Sequence, residues 1–202
     1  MSTTMNFTAK DVQELRQRTG AGMMDSKKAL TETNGDMEKA VELLRKKGIA
    51  KAEKRTGKQT SEGQVGSYIH HNGKVGVLVE VNCETDFVAR TDDFKQLVRQ
   101  IAEHIAAADP VAVEKDGVPA EVVERERRIY EEQARESGKP DAIIAKMVDG
   151  KVESFYKDRV LLSQPWVREP KKTIGDLVRE TSSKVGENIQ VRRFARFQLG
   201  AE

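Results

Sequence analysis

Val75, Val77, Val79 and Val81 take every second position of one stretch, directly after an Asn72-Gly73 pair. Side chains two apart lie on one side of an extended chain, so these valines predict a strand with a continuous apolar face. Ahead of the pair, Val65, Ser67 and Ile69 alternate with Gly66, Tyr68 and His70. Asn-Gly is the strongest short hairpin signal because both residue types accept positive φ, so the two stretches read as an antiparallel hairpin. A valine face needs a cover. Past Thr91, a candidate N-cap, Phe94, Leu97, Val98, Ile101 and Ile105 recur at helical spacing, and Asp109-Pro110 ends the pattern.

The rest of the second half follows the same logic. A charged helix is expected from about Pro119 to Ser137, and another around Ile143, Ile144, Met147 and Val148. Pro165 and Pro170 mark an extended loop around Trp166. Ile174, Leu177, Val178 and Val185 predict a helix. Ile189, Val191, Ala195, Phe197 and Leu199 alternate as a last strand, interrupted on that face by Arg193, and this strand is expected to join the hairpin in one antiparallel sheet.

The first 56 residues carry helical periods instead. Thr8 can cap a helix bearing Val12 and Leu15, and the turn Thr19-Gly20-Ala21-Gly22 stops it. Met23 or Met24, with Ala29 and Leu30, supply the apolar face of a second helix. Asn34-Gly35 breaks that helix, Asp36 caps a third, and Met37, Ala40, Val41 and Leu44 fall at i, i+3, i+4 and i+7, with Gly48 expected just past the end. The fold class is α+β, with a three-helix N-terminal module at residues 1–56 and a sheet-and-helix core at 57–202. The module resembles the ubiquitin-associated helical fold.

Composition narrows the functions. A formal net charge of +2 from 35 basic and 33 acidic residues is too balanced for a dedicated nucleic-acid binder, so direct nucleic-acid binding is not expected. No apolar run approaches the ~20 residues of a membrane span, and Met1 to Asn6 lacks the pattern of a secretory signal, which points to the cytoplasm. A single cysteine, Cys83, can form neither an internal disulfide nor a multi-thiolate metal site. The exception in charge is local. Arg45 to Lys58 (RKKGIAKAEKRTGK) holds seven basic residues against one acid, Glu53, and reads either as a solvated linker or as an RNA or ribosome contact, although it has no interleaved aromatic for base stacking.

Signals for an enzyme, metal or cofactor are missing. His70 and His71, if extended, point to opposite faces and cannot converge on one ion. Cys83 has no orienting third group in a recognisable spacing and reads as a small buried residue at a strand end. The glycines of Thr19-Gly20-Ala21-Gly22 lack the preceding strand and the following Lys-Ser/Thr of a phosphate loop.

The segment with most information is Cys83-Glu84-Thr85-Asp86-Phe87-Val88-Ala89, in the connection between the valine strand and the capped helix. Phe87 either staples that connection from inside or, if exposed on a rigid loop, presents a wedge that buries apolar area in a partner at low entropic cost.

Four ordered stretches resemble the elongation factor Ts family: Arg16 to Leu30 (RQRTGAGMMDSKKAL), Glu62 to Gly76 (EGQVGSYIHHNGKVG), Val79 to Ala89 (VEVNCETDFVA) and Thr173 to Phe197 (TIGDLVRETSSKVGENIQVRRFARF). The resemblance implies a guanine nucleotide exchange factor for elongation factor Tu in translation elongation, needing no covalent chemistry. It implies that Thr85, Asp86, Phe87 and Val88 enter the GTPase and disturb its magnesium site, and that Arg16, Met23 and Met24 contact its GTPase domain. Only one hairpin-and-helix unit is visible where the longest family members have more, and the compact members imply a homodimer whose second chain supplies a second half. The alternative is an RNA- or ribosome-binding protein using Arg45 to Lys58 with Arg192, Arg193 and Arg196.

Overall fold

The computed structural model describes residues 6–53 and 55–201. Of the features singled out above, Met1 to Met5, Lys54 and the side chains of Lys51 and Glu53 lie outside the described residues.

Helix α1 (Ala9–Thr19) starts at a reciprocal cap in which the Thr8 hydroxyl accepts the Asp11 N–H at 3.3 Å and the Asp11 carboxylate accepts the Thr8 N–H at 2.6 Å. It stops at Gly20, whose φ of 68° is open to glycine at little cost. Helices α2 (Met23–Glu32) and α3 (Met37–Glu53) complete the module, α3 capped by Asp36, which accepts the Lys39 N–H at 3.0 Å. Val12, Leu15, Ala29, Leu30, Ala40 and Leu44 form its core.

Two expectations change here. Neither methionine joins the core: Ser26, Ala29 and Leu30 form the inward face of α2, leaving Met23 and Met24 outside. Nor does α3 end before Gly48. The helix runs five residues further, to Glu53, because a Cβ on Gly48 would overlap the Ser183 hydroxyl of the later helix α8 (Ile174–Val185), so the missing side chain lets the two helices touch. The basic run is therefore half helix, packed on the second unit.

In that unit β1 (Glu62–Ile69) and β2 (Val75–Cys83) pair antiparallel. The turn differs from a two-residue Asn-Gly link. His70 carbonyl accepts the Gly73 N–H at 2.8 Å, the Asn72 side chain accepts the Lys74 N–H at 2.9 Å, and only Gly73 takes positive φ, at 68°. Asn72 is employed as an acceptor and stays out of the left-handed region. Short helix α4 (Asp86–Ala89) and long helix α5 (Asp92–Ala108) follow, α5 capped by Thr91 and ended at Asp109 in left-handed conformation. Val77, Val79 and Val81 are buried beneath Phe94, Leu97, Val98, Ile101 and Ile105. Each such side chain contributes about 1.5–3 kcal/mol on burial. Gly66 of β1 admits Val98 against the backbone, where a Cβ would collide.

Helices α6 (Ala120–Arg135) and α7 (Asp141–Arg159) pack on each other through small clusters including Ala134, Val148 and Val152. Ile143 lies outside that contact. The Trp166 region is a ribbon of β3 (Pro165–Trp166) and β4 (Glu169–Thr173) leading into α8.

The last strand, β5 (Ile189–Gln198), joins β2, giving the sheet order β1-β2-β5. Its alternation is not continuous. Glu80 pairs with Arg193 and Val81 with Val191, so Arg192 is an extra residue that shifts the phase. Ile189 and Val191 point into the core and Phe194 packs against it, whereas Phe197 and Leu199 are exposed. The bulge explains why Arg193 interrupts the apolar pattern: the pattern changes face there.

Candidate functional site

Thr85 begins α4 with extended backbone angles, and its hydroxyl accepts the Val88 N–H at 3.4 Å. That cap turns the chain so that Val88 and Ala89 enter the core while Phe87 stands 77% exposed. The ring therefore does not staple the connection from inside the core. Asp86 is exposed and meets Arg90 at 2.8 Å, an i,i+4 pair worth only a few tenths of a kcal/mol in the open. An aromatic ring and a carboxylate thus project side by side from one turn.

Every polar group of Thr85 is engaged. Its N–H donates to Glu187 Oε2 at 3.0 Å and its hydroxyl to Glu187 Oε1 at 2.6 Å. Its carbonyl accepts the Cys83 thiol at 3.1 Å and the Ala89 N–H at 3.3 Å. Burial pushes the Cys83 thiol up to about 11, so it stays protonated at neutral pH and serves as a donor from the core side. One residue earlier, Glu84 accepts the Asn188 N–H at 2.6 Å. That bond leads the causes holding the Glu84 carboxyl below its usual range, with Lys58 and Arg55 adding to it. The corner is cross-tied to the loop between α8 and β5 at two successive residues. Sequence reasoning missed Glu84, Glu187 and Asn188. Their only signal was polarity beside a turn glycine, Gly186, and beside the Thr85–Val88 segment.

Residues 2–201 match the family described as Elongation factor TS. Among proteins named Elongation factor Ts, that of Fervidobacterium nodosum is 58% identical over 97% of this chain and 100% of its own length. The Geobacter sulfurreducens protein is 58% identical over 97% of this chain and 91% of its own. The chain belongs to the elongation factor Ts family. Membership places it among the translation elongation factors, with Thr85–Val88 on its most exposed aromatic turn.

The other residues assigned by resemblance sit apart, on the N-terminal module. Arg16, on the last turn of α1, is exposed, and Met23 and Met24, on the first turn of α2, are 46% and 75% exposed, flanking the Gly20–Gly22 turn. Methionines held out of a core offer an adaptable apolar surface. The two groups of residues sit on different hydrophobic cores, which are tied together where Arg55 meets Glu84 at 3.0 Å and Arg45 meets Glu180 at 2.6 Å.

The same contacts bear on the basic run. Arg45, Lys46, Lys47, Arg55 and Lys58 each pair with a carboxylate, of Glu180, Glu42, Glu32, Glu84 and Glu84 respectively. Arg193 pairs with Glu80 and Arg196 with Asp109. Five of the seven cations of the run are thus matched to acids. His70 and His71 do not diverge as extended residues would: His71 enters the turn, their rings lie 4.2 Å apart, and His70 Nδ1 shares a 3.0 Å hydrogen bond with the Tyr68 hydroxyl. Among the described residues, no group of three or more His, Cys, Asp or Glu side chains is arranged to hold a metal ion.

Proposed function

We propose that this protein promotes GDP release from elongation factor Tu by inserting the Thr85–Val88 turn beside the nucleotide and magnesium site, without acting as an enzyme. The observation that carries the reading is Phe87, 77% exposed on a turn whose first residue has all its polar groups bound. A large apolar side chain held rigidly in water loses little entropy on docking and gains the burial of its ring. Asp86 competes with the polar groups around the partner's metal once it leaves Arg90. Arg16, Met23 and Met24 add a second contact on the GTPase domain, with residues 1–56 as the partner-binding module and 57–202 as the core and dimerisation unit.

The thermodynamics need no covalent step. A factor that binds the empty GTPase more tightly than the GDP-bound form weakens GDP binding by the same ratio. GTP then displaces the factor by the same linkage.

The homodimer belongs to this proposal. Val65, Ile69, Leu78 and Phe197 are exposed on the outer face of the sheet, where Ser67 pairs with Leu78 and Leu78 with Ala195, and Ile69 with Gly76 and Gly76 with Phe197. A two-fold pair of chains covers such a face with its own copy. The test of the exchange function follows labelled GDP leaving elongation factor Tu in excess unlabelled nucleotide. Faster release with added protein is expected, and unchanged release at saturating protein would overturn the reading.

A further inference from the structure

We propose that Glu187 is a positioning residue for nucleotide exchange, acting entirely through the Thr85–Val88 turn. The inference rests on the reading of that turn as the inserting element. It reaches past it by assigning the turn's geometry to a carboxylate 102 residues further along the chain.

The backbone of Glu187 is itself fixed. α8 ends at Gly186 with φ 77°, and the buried Ser182 hydroxyl donates to the Glu187 carbonyl, so the loop cannot slide along the helix end. From that anchor the carboxylate receives two donors of Thr85, the N–H at 3.0 Å and the hydroxyl at 2.6 Å. The second bond matters more than its length suggests. Because the Thr85 hydroxyl gives its proton to Glu187, its lone pairs face Val88, whose N–H it accepts at 3.4 Å to start α4. Glu187 thus orients the cap, the cap starts the turn, and the turn aims Phe87.

The neighbouring bond reinforces it in the opposite sense. Glu84 accepts the Asn188 N–H at 2.6 Å, so each side of the corner supplies a carboxylate to the other side's backbone. Arg55 and Lys58 also reach Glu84, and Asn188 donates through its side chain to the Lys58 carbonyl at 2.9 Å. The strap that holds the turn therefore also holds the segment leaving the N-terminal module. An insertion element displaced by about 1 Å loses much of its effect, as misplaced reacting groups do.

The experiment measures stimulated GDP release from elongation factor Tu across a titration of the factor, with thermal melting of the same samples. Glu187→Ala is expected to lower the plateau rate about tenfold, with a smaller change in the half-saturating concentration, because Arg16, Met23 and Met24 are untouched. Glu187→Gln keeps the volume and one acceptor oxygen and is expected to fall between the two, a reading that survives if the alanine variant folds poorly. A double-mutant cycle decides the route. In an Asp86→Ala/Phe87→Ala background, Glu187→Gln is expected to cause no further loss, since it acts only by placing those two side chains. Full additivity of the two losses, or a normal plateau in both Glu187 variants while Phe87→Ala is slow, would overturn the proposal and leave the exchange function standing. Normal plateaus in all of them, Phe87→Ala included, would instead overturn the reading of the turn.

Discussion

His104 Nε2 donates to Gln164 Oε1 at 3.0 Å inside the second unit, with the imidazole fully buried. The Val167 N–H meets the other ring nitrogen at 3.4 Å, which sets the neutral tautomer. Gln164 Nε2 donates in turn to the carbonyls of Ala108 and Asp158, at 3.1 and 2.7 Å. One side chain therefore ties the end of α5, the end of α7 and the ribbon together.

Burial, the leading cause, holds the His104 pKa below its ordinary value. A folded pKa lower than the unfolded one means that the unfolded chain binds the proton first. Stability is then complete above about pH 6.5 and falls as pH drops from there towards the folded pKa. Urea unfolding at pH 7.5, 6.5 and 5.5 should show a loss below pH 6.5 that His104→Gln reduces. Gln164→Leu, which strands the two carbonyls and the ring, should cost about 2–4 kcal/mol at any of these values.

Gly48 gives a separate prediction. A Cβ there would overlap the Ser183 hydroxyl and lie 3.2 Å from the Ser183 Cβ. Gly48→Ala gains about 1 kcal/mol of helix propensity and meets a clash typically costing about 1–3 kcal/mol, so a net loss is expected. Adding Ser183→Ala removes the nearest atom and should restore stability to wild type or above. Denaturant melts of the two variants check the order; an unaltered Gly48→Ala protein would mean that the helices separate freely.

Periodicity carried the elements, while tertiary fit determined where several of them stop or turn over. The valine strand, the Thr91-capped helix and the Thr8 cap are local patterns, and the structure reproduces them. Gly48 looked like a stop because glycine usually follows a helix, yet its role is to admit Ser183, and a contact 135 positions away leaves no mark in a local window. The Arg192 bulge is similar: alternation assumes one register, and the extra residue appears only when β5 is laid on β2. For the site, Thr85–Val88 was legible through family resemblance. Whether Phe87 faced in or out was not, because the Glu187 carboxylate that holds the turn comes from the far end of the chain.

The outer face of the sheet supplies the test of self-association. Phe197, 69% exposed, sits on it beside Gly76, where the missing side chain admits the tip of Ile69. Phe197→Asp should convert a species of twice the chain mass into one of the single mass in sedimentation, with melting little changed, since an exposed position usually shifts stability by under about 0.5 kcal/mol. Reductant should not alter the wild-type mass, because Cys83 is fully buried. A single-mass wild-type protein at working concentrations would overturn the dimer.

The last prediction concerns Asp86 and Phe87, adjacent and exposed on the same turn. Phe87→Ala removes a ring that contacts little of its own chain, so the melting temperature should hold. Truncating a docking aromatic commonly costs about 2 kcal/mol or more in the complex, so GDP release should slow by more than tenfold at sub-saturating factor. Asp86→Ala breaks only the exposed pair with Arg90 and should also leave melting unchanged. If its carboxylate acts beside the partner's metal, as proposed, its loss should lower the plateau rate more than the affinity. The two variants are to be measured for melting, affinity and exchange on the same preparations. Stable proteins with slow exchange support the wedge, whereas a destabilised Phe87→Ala protein that still releases GDP at the full rate would return the ring to a structural role.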